Sequence, residues 1–315
     1  MAGTPDRLSL VVTAVSDGAP GVRTVALASP GAGPLPSFAP GSHLVLECGP
    51  VSNAYSLTGE PTAPATYEIS VLEIADGGGG SSWIHRLAVG DPVTALTPRS
   101  AFPPVLAARR HVLVAGGIGI TPIVSHLRSA ALWGRDVEVL YAHRDGHGAH
   151  VDDVRELAGD RARFFTDRAS FAKDLEATLA DQPVGAHLYT CGPAGFMEHV
   201  TTTATELGWP ASRIHLERFG MDALDPGDPF EAVLTGSGRT ISVPAGTSLL
   251  DALEAEGLDI PNLCRQGVCG ECRLSVRAGA PMHRDLFLSE AEKAANDTLM
   301  ACVSRAEGDR LEIDL

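Results

Sequence analysis

The sequence predicts a multidomain chain: an antiparallel β-barrel over residues 1–107, an α/β domain with a parallel sheet over 108–220, a linker at 221–229 and an α+β domain over 230–315. Three observations carry this organisation. Short alternating apolar runs separated by Pro-Gly turns fill the first third of the chain. Longer apolar runs then alternate with helical stretches, the pattern of a parallel sheet covered by helices. Finally, an acidic stretch broken by Pro226-Gly227 precedes a segment with a strand and helix pattern of its own.

At 315 residues, 44% hydrophobic and 20% charged, the chain has room for two or three compact domains. Lys+Arg 24 against Asp+Glu 39 leaves a formal charge of −15, which argues against nucleic acid and anionic membranes as partners. No apolar run reaches the roughly 18 residues of a spanning helix. Met1-Ala2-Gly3-Thr4-Pro5-Asp6 also lacks a basic region followed by an apolar one. A monomeric cytoplasmic protein with reduced thiols is therefore expected.

In the first domain the runs 8–12, 22–27 and 43–47 are separated by the turns Pro20-Gly21, Pro30-Gly31 and Pro40-Gly41. A further run, Ala54-Tyr55-Ser56-Leu57-Thr58, reads as a strand. The glycine run 77–80 and Ser81 lead into a helical stretch at 82–87, so backbone N–H groups there can hold a phosphate. Each run by itself is equally a plain strand or loop.

In the second domain, strands are expected at 111–115, 137–142, 162–165 and 186–191. The first runs into Gly116-Gly117-Ile118-Gly119-Ile120-Thr121-Pro122 and an apolar helix at 123–132, so small residues and helix N–H groups converge where a pyrophosphate can lie. A tight strand-to-helix connection with no ligand is the equal alternative. The last strand ends in Cys191-Gly192-Pro193-Ala194-Gly195-Phe196-Met197 and again opens a helix.

The third domain starts with a strand at 239–243 and a helix at 248–256. Cys264, Cys269 and Cys272 follow as C-x4-C-x2-C, and Cys302 comes after a long gap, the plant-type ligand spacing for a 2Fe-2S cluster. Gly267 and Gly270 let a tight loop turn backbone N–H groups toward sulfur. The apolar run 299–303 reads as a strand returning Cys302 to that loop. A structural zinc site usually shows paired C-x2-C units, and a disulfide framework suits small secreted chains. Cys48 and Cys191 fall outside the set and read as small buried residues.

Residues 230–315 thus resemble a plant-type ferredoxin of β-grasp fold. The loops at 116–122 and 191–193, taken as a pair, resemble the ferredoxin-NADP reductase superfamily, in which Gly-Gly-x-Gly-x-Thr-Pro and Cys-Gly-Pro flank the nicotinamide. Residues 54–58 resemble its flavin strand. In the order flavin, nicotinamide, 2Fe-2S, nearly the whole chain resembles the phthalate dioxygenase reductase family, including reductases of vanillate O-demethylase type.

The resemblance implies FMN, NADH and a 2Fe-2S cluster as cofactors. Asn53, Tyr55, Ser56, Leu57, Gly79, Gly80, Ser81 and Ser82 are the expected flavin contacts, with Tyr55 on the isoalloxazine and the Ser56 hydroxyl facing N5. Gly116, Gly117, Gly119, Thr121, Pro122, Cys191, Gly192 and Pro193 are expected around the coenzyme, Thr121 and Cys191 setting the nicotinamide. Phe219 lies in a Glu-x-Phe element whose ring covers flavin or nicotinamide. Ser56, Thr121, Cys191 and Phe219 form the expected catalytic set, and Cys264, Cys269, Cys272 and Cys302 the iron ligands. After the second strand, Asp145 repels a 2'-phosphate while Arg144 attracts it, and NADH is expected.

Two positions depart from the family. Asn53 and Gly78 stand where it usually has Arg, and both losses remove cations expected near the flavin phosphate. Hydrogen bonds to charged groups are worth about 1.5–3 kcal/mol each, so looser FMN binding is expected. Backbone N–H groups at 79–82, Arg86 or Arg99 are the candidate compensations.

NADH gives up two electrons together and a 2Fe-2S cluster accepts one, so a flavin between them is required. The expected partner is a separate terminal oxygenase of Rieske type, with a cytochrome P450 as the alternative. A non-enzymatic 2Fe-2S redox sensor, needing no productive nicotinamide site, is the reading from another class. Arg265, Arg273 and Arg305, near the ligands in sequence, are either docking cations or solvated charges.

Overall fold

The structure, a computed structural model, describes residues 7–315 apart from 32, 50, 76–78, 101, 220–226, 263, 264, 266, 268, 269 and 286. The chain divides into two compact units, one ending at Arg218 and the other starting at Phe219.

The first unit opens with β1 (Arg7–Ala19), β2 (Val22–Ala28), β3 (Ser42–Cys48), β4 (Val51–Ser56), β5 (Tyr67–Leu72), α1 (Gly80–Arg86), β6 (Pro92–Leu96) and β7 (Arg99–Ser100). These strands run antiparallel in the order β4-β3-β6-β1-β2-β5, with β7 on β3. A bridge between Leu57 and Ile69 and the Thr58 N to Glu68 O bond of 2.9 Å join the two ends of that order into a barrel. Leu10, Val25, Leu27, Leu44, Leu46 and Ile69 fill its core, and α1 adds Ile84 to it. Each such buried side chain contributes roughly 1.5–3 kcal/mol.

The second part of this unit is β8 (Arg110–Gly116), α2 (Ile120–Trp133), β9 (Val137–Ala142), α3 (Val151–Ala158), β10 (Ala162–Phe165), α4 (Arg168–Ala180), β11 (Ala186–Cys191), α5 (Ala194–Glu206) and β12 (Ile214–Glu217). All five strands are parallel, in the order β10-β9-β8-β11-β12. Apolar side chains of α2 and α3 cover one face and those of α4 and α5 the other. The chain steps outward from β8 to β9 and β10, then returns to the other side for β11 and β12. The switch point, where such sheets bind ligands, therefore lies between the C-terminal ends of β8 and β11.

The second unit holds β13 (Phe230–Leu234), β14 (Thr240–Val243), α6 (Leu249–Ala255), β15 (Arg273–Ala278), β16 (Pro281–Met282), α7 (Glu290–Ala295), β17 (Thr298–Met300), β18 (Arg305–Ala306) and β19 (Arg310–Ile313). Its main sheet has the order β14-β13-β19-β15-β17, with β19 parallel to β13 and antiparallel to β15. Ser248 caps α6 by accepting from Asp251 N at 3.0 Å. One expectation needs correction: the run 299–303 is a strand only as far as Met300. Residues 301–303 turn, because Ser304 N bonds back to Met300 O at 2.9 Å.

Candidate redox site

The β3–β4 register sets the proposed flavin strand. Leu46 faces Asn53, Leu44 faces Tyr55 and His43 faces Ser56. Asn53 and Tyr55 meet the start of α1 at Gly80, where a methyl group would stand 2.4 Å from Asn53 Oδ1 and 2.9 Å from Tyr55 Oη. Gly79, the N-cap of α1, has φ 89, which suits glycine. The Tyr55 hydroxyl is buried without a well-formed hydrogen bond, beside the Cys48 thiol. Burial pushes the Tyr55 pKa well up and that of Cys48 up to about 11, so both stay neutral. An orphaned buried hydroxyl beside a glycine-only approach fits the polar tail of a flavin.

Other expected flavin contacts are less open. Ser56 is 6% exposed, and its hydroxyl has no protein partner among the described residues. Leu57 is fully buried in the barrel core and its N–H bonds Ser42 O at 2.9 Å, which leaves only its carbonyl. Ser81 Oγ already accepts from Ile74 N at 3.1 Å, and Ser82 is half-buried on the same helix. Gly78 lies outside the described residues. Of the compensating cations, Arg86 is exposed and Arg99 pairs across from His43.

The two glycine loops meet at the switch point. A methyl on Gly119 would stand 2.3 Å from Cys191 O, and one on Gly192 2.9 Å from the Phe196 ring and 3.0 Å from Gly116 Cα. A methyl on Gly116 would likewise meet Phe196 at 2.9 Å. Only backbones without Cβ can approach this closely, so the sequence pair is a spatial pair. Gly117 has φ 56 and open space where a Cβ would project. Thr121 is buried and donates Oγ1 to Ile118 O at 3.1 Å, bracing the turn; Pro122 follows inside α2, and Pro193 is the N-cap of α5. Arg144 and Asp145 are both exposed just beyond β9. These backbones and the open glycine fit a dinucleotide.

Cys191 pairs with Glu217 across β11 and β12. Both are buried, and Glu217 Oε2 has no hydrogen-bond partner among the described residues. Burial pushes the Glu217 carboxyl up to about 8, and burial followed by the Glu217 charge pushes the Cys191 thiol well up. Sequence reasoning placed Glu217 only in the Glu-x-Phe element and missed it as a buried acid, because the short, mixed run 214–217 becomes a strand only by pairing with β11. Phe219, two residues on, is half-buried and is the first residue of the second unit.

In the second unit, antiparallel pairing of β15 with β17 brings two of the four cysteines together. Ala301 N donates to Cys272 O at 3.0 Å, and Cys272 and Cys302 are both buried. Cys264 and Cys269 lie outside the described residues. The loop glycines have φ 71 at Gly267 and 83 at Gly270, and a Cβ there would strike Val303 at 2.6 Å and the Phe287 ring at 2.3 Å. Arg265 is tied to Glu254 at 2.6 Å and to Asp251 at 2.9 Å, fixing the loop to α6. Arg273 bonds Thr298 Oγ1 at 3.0 Å and lies 3.4 Å from Glu292. Arg305 is 3% exposed, stacks on Phe230 and donates to Thr247, Asp228 and Pro244 carbonyls. It is a structural cation, not a docking one. Buried thiols beside a loop that only glycine can form fit an iron-sulfur centre.

Comparison with known proteins agrees with this geometry. A 2Fe-2S iron-sulfur cluster binding domain model matches residues 232–307. Phthalate dioxygenase reductase, "a modular structure for electron transfer from pyridine nucleotides to [2Fe-2S]", superposes with a TM-score of 0.72 and 31% identity over 98% of each chain. The chain belongs to the phthalate dioxygenase reductase family. This reductase also matches the N-terminal domain model of dimethylamine monooxygenase subunit DmmA-like proteins over residues 93–214. The beta subunit of a heme-dependent oxidative N-demethylase from Ectopseudomonas mendocina is 39% identical over 284 residues, covering 89% of this chain and 90% of the relative. An intact type IV self-sufficient cytochrome P450 monooxygenase gives a TM-score of 0.77 and 35% identity over 98% of this chain, which spans 41% of that longer protein. The family reductase is thus a flavin- and nicotinamide-dependent oxidoreductase with a 2Fe-2S domain, passing electrons to a separate oxygenase.

Proposed function

We propose that NADH is oxidised between the 116–122 and 191–193 loops, that FMN lies along residues 53–57 against the start of α1, and that Cys264, Cys269, Cys272 and Cys302 hold the cluster. In this reading residues 1–107, 108–220 and 230–315 are the flavin, nicotinamide and iron-sulfur modules, joined by a linker at 221–229. The observation that carries it is the backbone contact of Gly119 with Cys191 at the switch point, in the same compact unit as the Ser56 strand.

Held along residues 53–57, a flavin would supply the conversion between the two-electron chemistry of NADH and the one-electron chemistry of the cluster. The chain's own groups arrange the encounter. Gly119 and Gly192 let the two loops close on each other, Gly117 leaves open space for the coenzyme, and Thr121 braces the turn through Ile118. The unpartnered Ser56 hydroxyl orients the flavin edge. Cys191 and the protonated Glu217 present a neutral, water-poor wall, with an acid proton held on Glu217 near neutral pH. Asp145 favours NADH over NADPH. The unpaired buried thiols Cys48 and Cys191 support a reducing, cytoplasmic setting, and a monomer is proposed.

The proposed acceptor is a Rieske-type oxygenase. A second reading, a haem oxygenase, is favoured by the heme-dependent N-demethylase relative and the P450 fusion. NADH-driven reduction of a purified Rieske protein and of a P450 in parallel decides between them. In stopped flow, Cys302→Ser is expected to keep flavin reduction by NADH and to lose electron delivery to cytochrome c. Loss of flavin reduction itself contradicts the proposed order.

A further inference from the structure

A ring of polar contacts joins the barrel to the α/β part of the first unit, and the chemistry above leaves it unused. Arg128, on α2, donates Nε to Thr58 O at 2.8 Å and Nη2 to Asp153 Oδ1 at 2.8 Å. The other carboxylate oxygen, Oδ2, lies 2.8 Å from His150 Nδ1. His150 Nε2 reaches back to the barrel, 2.8 Å from Ser70 Oγ, which is itself 2.7 Å from Thr24 Oγ1. On the barrel side the ring closes through Thr58 N to Glu68 O and the Leu57–Ile69 bridge. Asp153 therefore joins two arms: one holds the carbonyl two residues beyond Ser56, the other holds β5.

The backbone shows how firmly this is set. His150 is the N-cap of α3 at φ 56, ψ 21, a left-handed conformation that non-glycine residues adopt only where their surroundings hold them there. Its side chain makes no capping bond and spends both ring nitrogens on the ring of contacts instead. The hydrogen bond from His150 is the largest cause holding the Asp153 carboxyl below its usual range, aided by the charges of His150 and Arg128, and burial opposes it. Asp153 is thus ionised at working pH and serves both arms.

We propose that Arg128, His150 and Asp153 are positioning residues for hydride transfer, fixing the Ser56–Thr58 strand end against helix α2, whose first turn carries Thr121. The inference rests on the reading of Ser56 and the 116–122 loop as the two ends of the hydride path. Hydride transfer is sensitive to such geometry, since a misplacement of about 1 Å costs on the order of a hundredfold in rate.

The test uses the full-length holoprotein with Asp153→Asn, Asp153→Glu and His150→Asn, the last because Asn tolerates left-handed backbone while falling short of Ser70. Stopped flow measures the limiting rate of flavin reduction and the apparent affinity for NADH. Long-wavelength charge-transfer absorbance reports nicotinamide–flavin stacking, and calorimetry reports unfolding of the first unit. Expected for Asp153→Asn is a limiting rate about tenfold to a hundredfold lower. Apparent affinity should stay within about threefold, with weakened charge-transfer absorbance, a split or broadened unfolding transition, and partial recovery in Asp153→Glu. A lowered transition temperature with an unchanged limiting rate makes the ring a staple only and overturns the inference. If Asp153→Asn does not fold, His150→Asn carries the same comparison. A wild-type protein that NADH does not reduce overturns the functional reading, and this inference with it.

Discussion

Glu217 is a carboxylic acid in surroundings that suit only its neutral form. In an unfolded chain it loses its proton near pH 4.5, and in the fold near 8, so folding becomes less favourable as pH rises through that window. The full shift corresponds to a ceiling of about 5 kcal/mol. Glu217→Gln is therefore expected to match wild type near pH 4.5 and to be more stable by about 2–5 kcal/mol at pH 8, read by denaturant titration at both pH values. Asn53 makes a second case at this scale. Its amide oxygen faces the start of α1 at a position where the family usually has Arg, so FMN should leave the wild-type protein on dialysis at nanomolar concentration. Asn53→Arg is expected to tighten FMN by about tenfold or more, measured by flavin fluorescence. Stoichiometric retention by wild type removes the premise.

At the scale of elements, the loop pair turns on one atom's absence. Gly119→Ala places a methyl 2.3 Å from the Cys191 carbonyl, and neither backbone can yield without moving a strand end. Loss of NADH-dependent flavin reduction with bound flavin retained is expected, at a stability cost of about 1–3 kcal/mol. Spectra before and after NADH addition separate the two effects. The loop pair was legible in the sequence because each glycine run follows an apolar strand and opens a helix. The strands 137–142 and 186–191 were legible as largely apolar, mostly buried runs, and 162–165 through Phe164-Phe165, although it is an edge strand in which only Phe165 is buried. β12 was not, because Ile214-His215-Leu216-Glu217 is short and mixed, and it is a strand through pairing with β11. Long-range pairing hides just as well: His150 and Ser70 are 80 residues apart, and nothing local marks them as partners.

For the first unit as a whole, the fold holds a proton on Glu217 above its usual range and refuses protons on buried histidines below theirs. Burial is the largest cause lowering His43 to about 4, His126 to about 3 and His215 to about 4. His126 Nε2 lies 2.8 Å from Phe102 O, and His215 stacks on Tyr189. Each must stay neutral in the fold while its unfolded counterpart charges below about pH 6.5, so stability is lost as pH falls from there toward 4. Between 4.5 and 6.5 Glu217 pulls the other way, but three histidines outweigh one carboxyl. Above 6.5 the carboxyl acts alone. The unit's transition temperature should therefore peak near pH 6–7 and decline on both sides, which calorimetry from pH 4.5 to 8.5 can check. A steady rise to pH 8 contradicts the assignment of Glu217, and Glu217→Gln should flatten the alkaline limb.

The strand order of the second unit has a consequence for how the protein is made. β19, the last strand, sits in the middle of its sheet between β13 and β15. A ribosome that has delivered every cysteine has still not delivered the strand that holds the two halves together, and such non-local pairing is slow to form. Metal loading of a nascent chain would meet thiols with no scaffold behind them. Stable iron loading is therefore expected to wait for β19, and cells short of iron or of assembly factors should accumulate a folded first unit attached to an unloaded second one.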